Sequence, residues 1–271
     1  MPNKTWKILD QYNITLDKNK SQNYLIDNNK LNNILKFANI DDTETILEIG
    51  AGIGTMTLPM AKRAKHVIAI EKDPIISDVL NRRVMNEKLD NVTVLNDDAL
   101  KIDFPSFDKV VSNLPYKISS PVTFKLLEYD FKKAVLMYQY EFAKRMNAPV
   151  NTRDYSRLSV ALYYRADIRI VDTLKPESFL PRPKVNSAVI ELIPKKHKLP
   201  DLFDDVTRAL FQHKNKKARK SLTNSAHEFG WNKKKFKETV KGVDNPLFDR
   251  KVFTLTPAEI VEISEIIDEL E

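Results

Sequence analysis

The chain has 271 residues, of which 42% are hydrophobic and 30% are charged, so it is long enough to form one large domain and one small domain. Its 44 Lys and Arg residues exceed its 37 Asp and Glu residues, and the resulting net charge of +7 favours a polyanionic partner. The sequence contains no cysteine, which excludes disulfide scaffolds, iron–sulfur clusters, thiolate zinc sites and cysteine nucleophiles.

The sequence gives no indication of a membrane segment or a metal site. It lacks an apolar run of the roughly 20 residues that a membrane-spanning helix requires, and residues 1–27 are too polar for a signal peptide. The four histidines are scattered, and we interpret them as surface or packing residues. We therefore expect a soluble, cytoplasmic protein with no membrane partner and no metal.

Residues 27–192 alternate between helical patterns and short β-branched runs. Residues 27–38 predict an amphipathic helix, with Leu31, Ile34, Leu35 and Ala38 on one face. Strands are predicted at 45–49, 67–71, 92–95, 109–112, 134–137, 168–172 and 186–192, with crossover helices at 55–65 and 75–88. The alternation predicts an α/β fold with a mostly parallel, doubly wound sheet of seven strands and helices on both faces.

The pattern changes after Pro194, where the strand-like segments stop and a polar linker begins. Helices are predicted at 201–213, 216–229, 232–241 and 257–270. We therefore predict a larger α/β domain at residues 1–194 and a smaller, all-helical domain at residues 195–271.

Three of the five glycines, Gly50, Gly52 and Gly54, lie in ILEIGAGIGTMT, between a predicted strand and a predicted helix. A ligand can approach bare backbone at such a place. A dinucleotide fingerprint would need glycine at Thr55, and a Walker loop would need Gly-Lys-Ser/Thr, so neither matches. The acidic-x-G-x-G-x-G pattern that begins at Glu48 resembles motif I of the Rossmann-like, S-adenosylmethionine-dependent methyltransferases.

Two further acids follow the next two predicted strands. Glu71 ends the second strand, where a carboxylate can accept hydrogen bonds from both hydroxyls of a ribose, and Asp98 follows the third, where it can accept from an adenine amino group. Singly, each acid is more often solvated. Together they predict one nucleoside pocket, with S-adenosylmethionine as the cofactor.

The fourth predicted strand is followed by Asn113, Leu114, Pro115 and Tyr116 in SNLPYKISSP. An ordinary turn needs no aromatic residue directly after the proline. The segment resembles the N/D-P-P-Y/F/W motif of amino-methylating enzymes. Two acceptors, the Asn113 side-chain oxygen and the Leu114 carbonyl, are suited to an exocyclic adenine amine. Pro115 fixes the backbone, and Tyr116 is suited to stack on a flipped base. These four residues are the predicted catalytic group.

Taken together, these motifs resemble the small-subunit ribosomal RNA adenine dimethyltransferases, in an archaeal form, over almost the whole chain. KNKSQNYLID is similar to the family's N-terminal cofactor motif, although Ser21 stands where the family has glycine. The resemblance implies that the following residues contact the cofactor: Gln22, Asn23, Leu25, Glu48, Gly50, Gly52, Glu71, Lys72, Asp98, Ala99 and Asn113.

The resemblance also implies the substrate. The family dimethylates N6 of two adjacent adenosines near the 3′ end of small-subunit ribosomal RNA, which implies a pre-ribosomal small subunit as the partner and a role in ribosome biogenesis. FLPRPKVNSAV is similar to the family's substrate loop, so Phe179 and Pro181 are predicted substrate contacts, although they could simply hold a loop. We expect a monomer.

Residues 207–220 carry six basic side chains and no acid, which predicts contacts with RNA phosphates. They are Arg208, Lys214, Lys216, Lys217, Arg219 and Lys220. FQHKNKKARKSL, which contains five of them, is similar to the family's basic C-terminal helix. Residues 195–271 are therefore predicted to bind RNA, and residues 1–194 to bind the cofactor and catalyse the reaction.

Two other functions stay open at this point. One is a small-subunit assembly factor in which catalysis is secondary or lost, although the intact Asn113–Tyr116 segment favours activity. The other is an antibiotic-resistance methylase that acts on large-subunit ribosomal RNA, which shares these motifs. A DNA adenine methylase is less favoured, because nothing resembles a module that reads DNA sequence.

Overall fold

The computed structural model of the chain describes residues 4–14 and 23–270, which form two compact units. The first unit extends to Ala143 and includes Ile168–Pro194, and the second consists of Lys144–Asp167 and the chain from Lys195 onwards. The chain passes from the first unit to the second between Pro194 and Lys195, at the predicted domain boundary. The second unit also contains Lys144–Asp167, which the sequence boundary assigned to the larger domain.

The described residues form nine strands in two sheets. They are β1 (Tyr24–Leu25), β2 (Thr45–Ile49), β3 (His66–Ile70), β4 (Val92–Leu95), β5 (Lys109–Asn113), β6 (Lys133–Gln139), β7 (Ala166–Leu174), β8 (Phe179–Leu180) and β9 (Ser187–Pro194). The seven-stranded sheet has the order β4-β3-β2-β5-β6-β9-β7, and β1 pairs with β8 in an antiparallel ribbon.

The large sheet confirms the predicted fold class. The five strands β4-β3-β2-β5-β6 are parallel to one another, and β9 runs antiparallel to β6. From β2 the chain proceeds outward through β3 and β4, then returns to β5 on the other side of β2 and proceeds through β6. This reversal of strand order opens a crevice at the carboxyl ends of β2 and β5, where ligands bind in doubly wound sheets.

Eleven α-helices accompany these strands in the described part of the chain. They are α1 (Lys4–Gln11), α2 (Asn28–Ala38), α3 (Thr57–Ala61), α4 (Pro74–Asn86), α5 (Ser119–Leu126), α6 (Tyr140–Met146), α7 (Arg157–Tyr163), α8 (Phe203–Phe211), α9 (Ala218–Asn224), α10 (Lys233–Gly242) and α11 (Pro257–Asp268). Asp27 and Asp73 cap α2 and α4 by accepting hydrogen bonds from first-turn N–H groups. The Asp27 cap lies next to the first residue of α2, which explains why the helix begins close to where the sequence predicts.

Two predicted helices are only about half as long as expected. Helix α3 covers 57–61 of the predicted 55–65, because Gly54 and its neighbours belong to the loop. Helix α9 covers only 218–224 of the predicted 216–229. The backbone of Lys216 and Ala218 bonds instead to residues 250–252, with Ala218 N–H donating to Arg250 O (2.8 Å) and Val252 N–H to Lys216 O (3.1 Å).

Helices α1, α5, α6 and α7 were not predicted. In α7 the five consecutive residues Leu158–Leu162 are all buried, so the helix shows no polar face and no helical period in its sequence. Tyr155 and Val160 belong to the core of the second unit, where they cluster with Phe203, Phe248 and Ile263. This packing explains why Lys144–Asp167 folds with the C-terminal helices.

Candidate active site

A cavity of about 500 Å³ lies at the carboxyl ends of β2, β3 and β5 in the first unit. Its lining includes every described residue that was predicted to contact the cofactor: Asn23, Leu25, Glu48, Gly50, Gly52, Glu71, Lys72, Asp98, Ala99 and Asn113. The predicted catalytic residues Leu114, Pro115 and Tyr116 line the same cavity. Gln22 and Ser21 lie outside the described residues.

The glycine loop has no room for side chains at two positions. Gly50 and Gly52 have φ values of +72° and +57°, which residues with side chains rarely adopt. A Cβ atom on Gly50 would lie 2.9 Å from Cδ of Pro115, and one on Gly52 would lie 2.9 Å from Cε1 of Tyr24. The loop therefore packs directly against the predicted catalytic proline, which brings the two motifs into one site.

Each carboxylate oxygen of Glu71 accepts a hydrogen bond from a backbone N–H group. Its Oε2 accepts a hydrogen bond from Gly52 N (2.8 Å), and its Oε1 accepts one from Asp73 N (2.9 Å). Burial raises the pKa of Glu71, and these two hydrogen bonds oppose that shift by favouring the carboxylate. The carboxyl group is thus held at the end of β3, directly beside the glycine loop, with lone pairs left to accept from a ligand.

Glu48 is only 2% exposed, and the hydroxyl of Thr57 donates a hydrogen bond to its Oε2. Burial raises the pKa of Glu48 to about 8, and the Thr57 hydrogen bond partly opposes the shift. At neutral pH this carboxyl group is therefore largely protonated. It joins the end of β2 to the first residue of α3 and so stabilises both ends of the glycine loop.

Asp98 has a different environment from that of Glu48. Its Oδ2 lies 2.9 Å from Nζ of Lys72, and its Oδ1 accepts a hydrogen bond from Leu100 N (3.0 Å). The Lys72 hydrogen bond is the main cause that lowers the pKa of Asp98. Asp98 therefore stays an ionised acceptor at the edge of the cavity, close to the end of β4.

The orientation of the Asn113 amide is set by the N-terminal segment. Nδ2 of Asn113 donates a hydrogen bond to the backbone oxygen of Asn23 (2.8 Å). Since the amide nitrogen is engaged, Oδ1 is the part of the side chain that remains to accept a hydrogen bond. The backbone oxygen of Asn23 thereby orients the Asn113 side chain, which is the predicted acceptor for the substrate amine.

Tyr116 is half-buried, and its hydroxyl lies 2.7 Å from Oγ of Ser187. Ser187 is the first residue of β9 and is fully buried. Burial raises the pKa of Tyr116, and the hydrogen bond with Ser187 opposes the shift. Sequence reasoning did not single out Ser187, although it lies within FLPRPKVNSAV, and that resemblance was the available signal.

The two substrate-loop residues are not brought to the cavity lining. Phe179 is 1% exposed in β8 and clusters with Leu25 and Val189 in the core of the first unit. Pro181 follows β8 and is joined to Leu180 by a cis peptide bond. The structure gives Phe179 a packing role, in which it supports β1 through the pairing of Leu25 with Phe179.

Four of the six predicted phosphate contacts have partners within the second unit. Arg208 lies within ion-pair distance of Asp205 (3.1 Å) and Glu228 (3.3 Å), and Lys214 donates to two backbone oxygens, those of Arg153 and Tyr155. The acids that were missing from residues 207–220 therefore come from other parts of the fold.

Lys217 and Arg219 share a third acid, Asp249, at 3.4 and 3.3 Å. Lys216 and Lys220 are exposed, and neither has a side-chain partner among the described residues. These two lysines are thus the members of the run that are most available to RNA.

No cluster of three or more His, Asp or Glu side chains within residues 4–14 and 23–270 is arranged to hold a metal ion. Over the same ranges, no helix has the length and the apolar composition needed to cross a membrane.

Comparison with known proteins gives consistent matches over almost the whole chain. The model of the family described as "Ribosomal RNA adenine dimethylase" matches residues 14–269. A relative from Methanosphaera stadtmanae, "Probable ribosomal RNA small subunit methyltransferase A", is 67% identical over 265 residues, which cover 97% of this chain and 98% of the relative.

Among solved structures, a dimethyladenosine transferase from Plasmodium falciparum is 29% identical with a TM-score of 0.75, and the match covers 90% of this chain and 98% of that one. The 23S rRNA methyltransferase ErmE shares the fold, with 24% identity, a TM-score of 0.64 and coverage of 91% and 100%.

Proposed function

Because the chain belongs to the ribosomal RNA adenine dimethylase family, we propose that it dimethylates N6 of adenosine in small-subunit ribosomal RNA, using S-adenosylmethionine. The observation that carries this proposal is the contact between the two halves of the cavity. The glycine loop and the Asn113–Tyr116 segment meet where Gly50 packs on Pro115. A methyl donor on the loop and an amine at Asn113 would therefore be neighbours.

The residues of the cavity fit S-adenosylmethionine. Gly50 and Gly52 present bare backbone in the lining of the cavity, and Glu71 offers a fixed carboxyl group to ribose hydroxyls. A cavity of about 500 Å³ is also within the usual size of a small-molecule site. When bound, S-adenosylmethionine supplies an electrophilic methyl group on its sulfonium.

The acceptor side is suited to an adenine amine, which is a poor nucleophile because its lone pair is delocalised into the ring. Oδ1 of Asn113 and the Leu114 carbonyl would accept its two N–H groups and favour a pyramidal nitrogen. Tyr116 would stack on the flipped base, a contact worth roughly 1–3 kcal/mol in single-strand binders. The main contribution of these residues is therefore to orient the amine.

The site needs no strong general base. Methylation makes the amine cationic and therefore acidic, so its proton can pass to water. In agreement with this chemistry, the residues that line the cavity include no histidine. The perturbed carboxyl group of Glu48 is buried and bonded to Thr57, which gives it a positioning role.

The proposal includes a specific target within the RNA. The target would be two adjacent adenosines near the 3′ end of the RNA, in a pre-ribosomal small subunit in the cytoplasm, and the enzyme would act as a monomer in ribosome biogenesis. Lys216 and Lys220 would contact phosphates, because both are exposed without a side-chain partner in the described structure. Such contacts position RNA without reading its sequence.

The test is to incubate the protein with labelled S-adenosylmethionine and small subunits that lack the modification, then to identify the methylated nucleosides by mass. Dimethyladenosine near the 3′ end is the expected product. Label only in large-subunit RNA, added as a control, would replace the proposal with the resistance-methylase function. Tight subunit binding without label in either RNA would indicate an assembly factor.

A further inference from the structure

Helix α10 carries a row of lysines that the sequence analysis did not assign. Its sequence, KKKFKETVKG, places Lys233, Lys234, Lys237 and Lys241 within a sector of about 100° around the helix axis. All four are exposed, and none has a side-chain partner among residues 4–14 and 23–270. We call these four residues the lysine face. The helix contains one acid, Glu238, which lies beside this sector.

The side of α10 next to the lysine face packs against the core of the second unit, and this packing fixes the helix that carries the lysines. Phe236 and Val240 are fully buried in the core of the second unit. The ring of Phe236 stacks on Phe229 at 4.3 Å and contacts the edge of Trp231 at 5.3 Å. These apolar contacts stabilise the helix without help from its lysines.

Arg219 anchors the C-terminal end of the same helix. Its guanidinium donates hydrogen bonds to the backbone oxygens of Val240 (2.7 Å) and Lys241 (3.1 Å), which the helix itself leaves without partners. It also pairs with Asp249 and lies over the ring of Phe248 at 5.5 Å. Arg219 therefore holds α10 in place, and its charge is used inside the unit.

The lysine face is unfavourable for folding. Like charges four residues apart on a helix destabilise it, and Lys233, Lys237 and Lys241 form two such pairs. Lys233 and Lys234 also lie in the first turn, where the helix dipole disfavours cations, and no acid is present there. A bound polyanion would remove both penalties.

We propose that the lysine face binds the phosphate backbone of the RNA substrate, an inference that rests on the proposed function. Lys233 and Lys241 are eight residues apart, about 12 Å along the helix axis, so the face can contact successive phosphates. The bound RNA supplies the complementary charge that the described protein does not.

The test compares two triple variants of the full chain with equal loss of charge. One is K234Q/K237Q/K241Q. The control is K36Q/K65Q/K88Q, whose lysines are also exposed and form no side-chain hydrogen bond or ion pair in the described part of the chain. These control residues precede β2, β3 and β4, at the edge of the sheet away from the cavity.

The measurement is affinity for an RNA fragment that contains the 3′ end of small-subunit ribosomal RNA, at several salt concentrations. The α10 variant should reduce the slope of log K against log salt by about 2–3 and should bind about tenfold or more weakly at 100 mM salt. The control variant should keep the wild-type slope. Affinity for S-adenosylhomocysteine should be unchanged in both variants, and the unfolding midpoint of the α10 variant should not fall, because its substitutions remove like-charge pairs.

An unchanged slope in the α10 variant, or an equal change in the control, would overturn the inference. A different assay detects failure of the proposed function, because wild-type protein would then leave small-subunit adenosine unmethylated. The comparison of slopes still reports on the lysine face in that case, since it measures binding and not methyl transfer.

Discussion

Removing the hydroxyl of Ser187 should reduce methyl transfer by loosening the ring of Tyr116. The two hydroxyl oxygens lie 2.7 Å apart, and Ser187 is fully buried. A hydrogen bond of this kind contributes about 0.5–1.5 kcal/mol. Ser187→Ala should therefore lower kcat/KM for small subunits by about two- to tenfold, at about 1.4 kcal/mol per factor of ten. Tyr116→Ala should cost more, because it also removes the stacking surface.

The assay is methyl transfer at limiting subunit concentration, with affinity for S-adenosylhomocysteine measured in parallel. Ser264→Ala is the matched control, since it removes a buried hydroxyl that bonds within α11. Tyr116→Phe leaves Ser187 without its partner, so the double variant with Ser187→Ala should be less impaired than the two single effects combined. Normal turnover of Ser187→Ala, or full additivity in the double variant, would refute a positioning role for Ser187.

Three further predictions concern the cavity. Asn113→Ala should lower turnover about 100-fold or more in the methyl-transfer assay, because misplacement of a reacting group has effects of that size, and near-normal turnover would contradict its assigned role. Gly50→Ala should weaken S-adenosylhomocysteine binding in calorimetry, since its Cβ would meet Pro115 at 2.9 Å and its φ is positive, whereas Gly230→Ala, with nothing within 4 Å, should bind normally. Because the pKa of Glu48 rises from 4.5 to about 8, the folded state holds the proton more tightly, and the free energy of unfolding should fall between about pH 5 and pH 8. Urea unfolding should show that this part of the pH dependence is lost in Glu48→Gln. If the free energy of unfolding changed with pH in the same way in both proteins, the raised pKa of Glu48 would be refuted.

Much of the large sheet could be predicted because its strands are short runs rich in β-branched residues, a pattern that is local in sequence. The predicted strands at 45–49 and 92–95 coincide with β2 and β4. The glycine pattern and the strand-end acids also indicated the cavity, because parallel strands bring their carboxyl ends to one edge. Each of these inferences depends on neighbours within a few residues or on a rule of sheet topology.

The remaining features depend on contacts between distant parts of the sequence. The bond between Tyr116 and Ser187 joins residues 71 positions apart, and nothing near either residue predicts the other. The ion pairs of the basic run could not be predicted for the same reason, since Asp249 and Glu228 lie outside it. A run of charge in a sequence therefore indicates a charged segment, and only the fold shows which charges stay available.

Strand β1 has a consequence for how the protein folds during synthesis. Its two residues pair with Leu180 and Phe179, and its neighbour Asn23 orients Asn113. Pairing across more than 150 residues carries a large loop-closure cost, and such contacts form late. Since a chain emerges from its N-terminus, Tyr24 must wait for Leu180 to be made. The acceptor side of the cavity therefore cannot be completed until nearly all of the first unit has been synthesised.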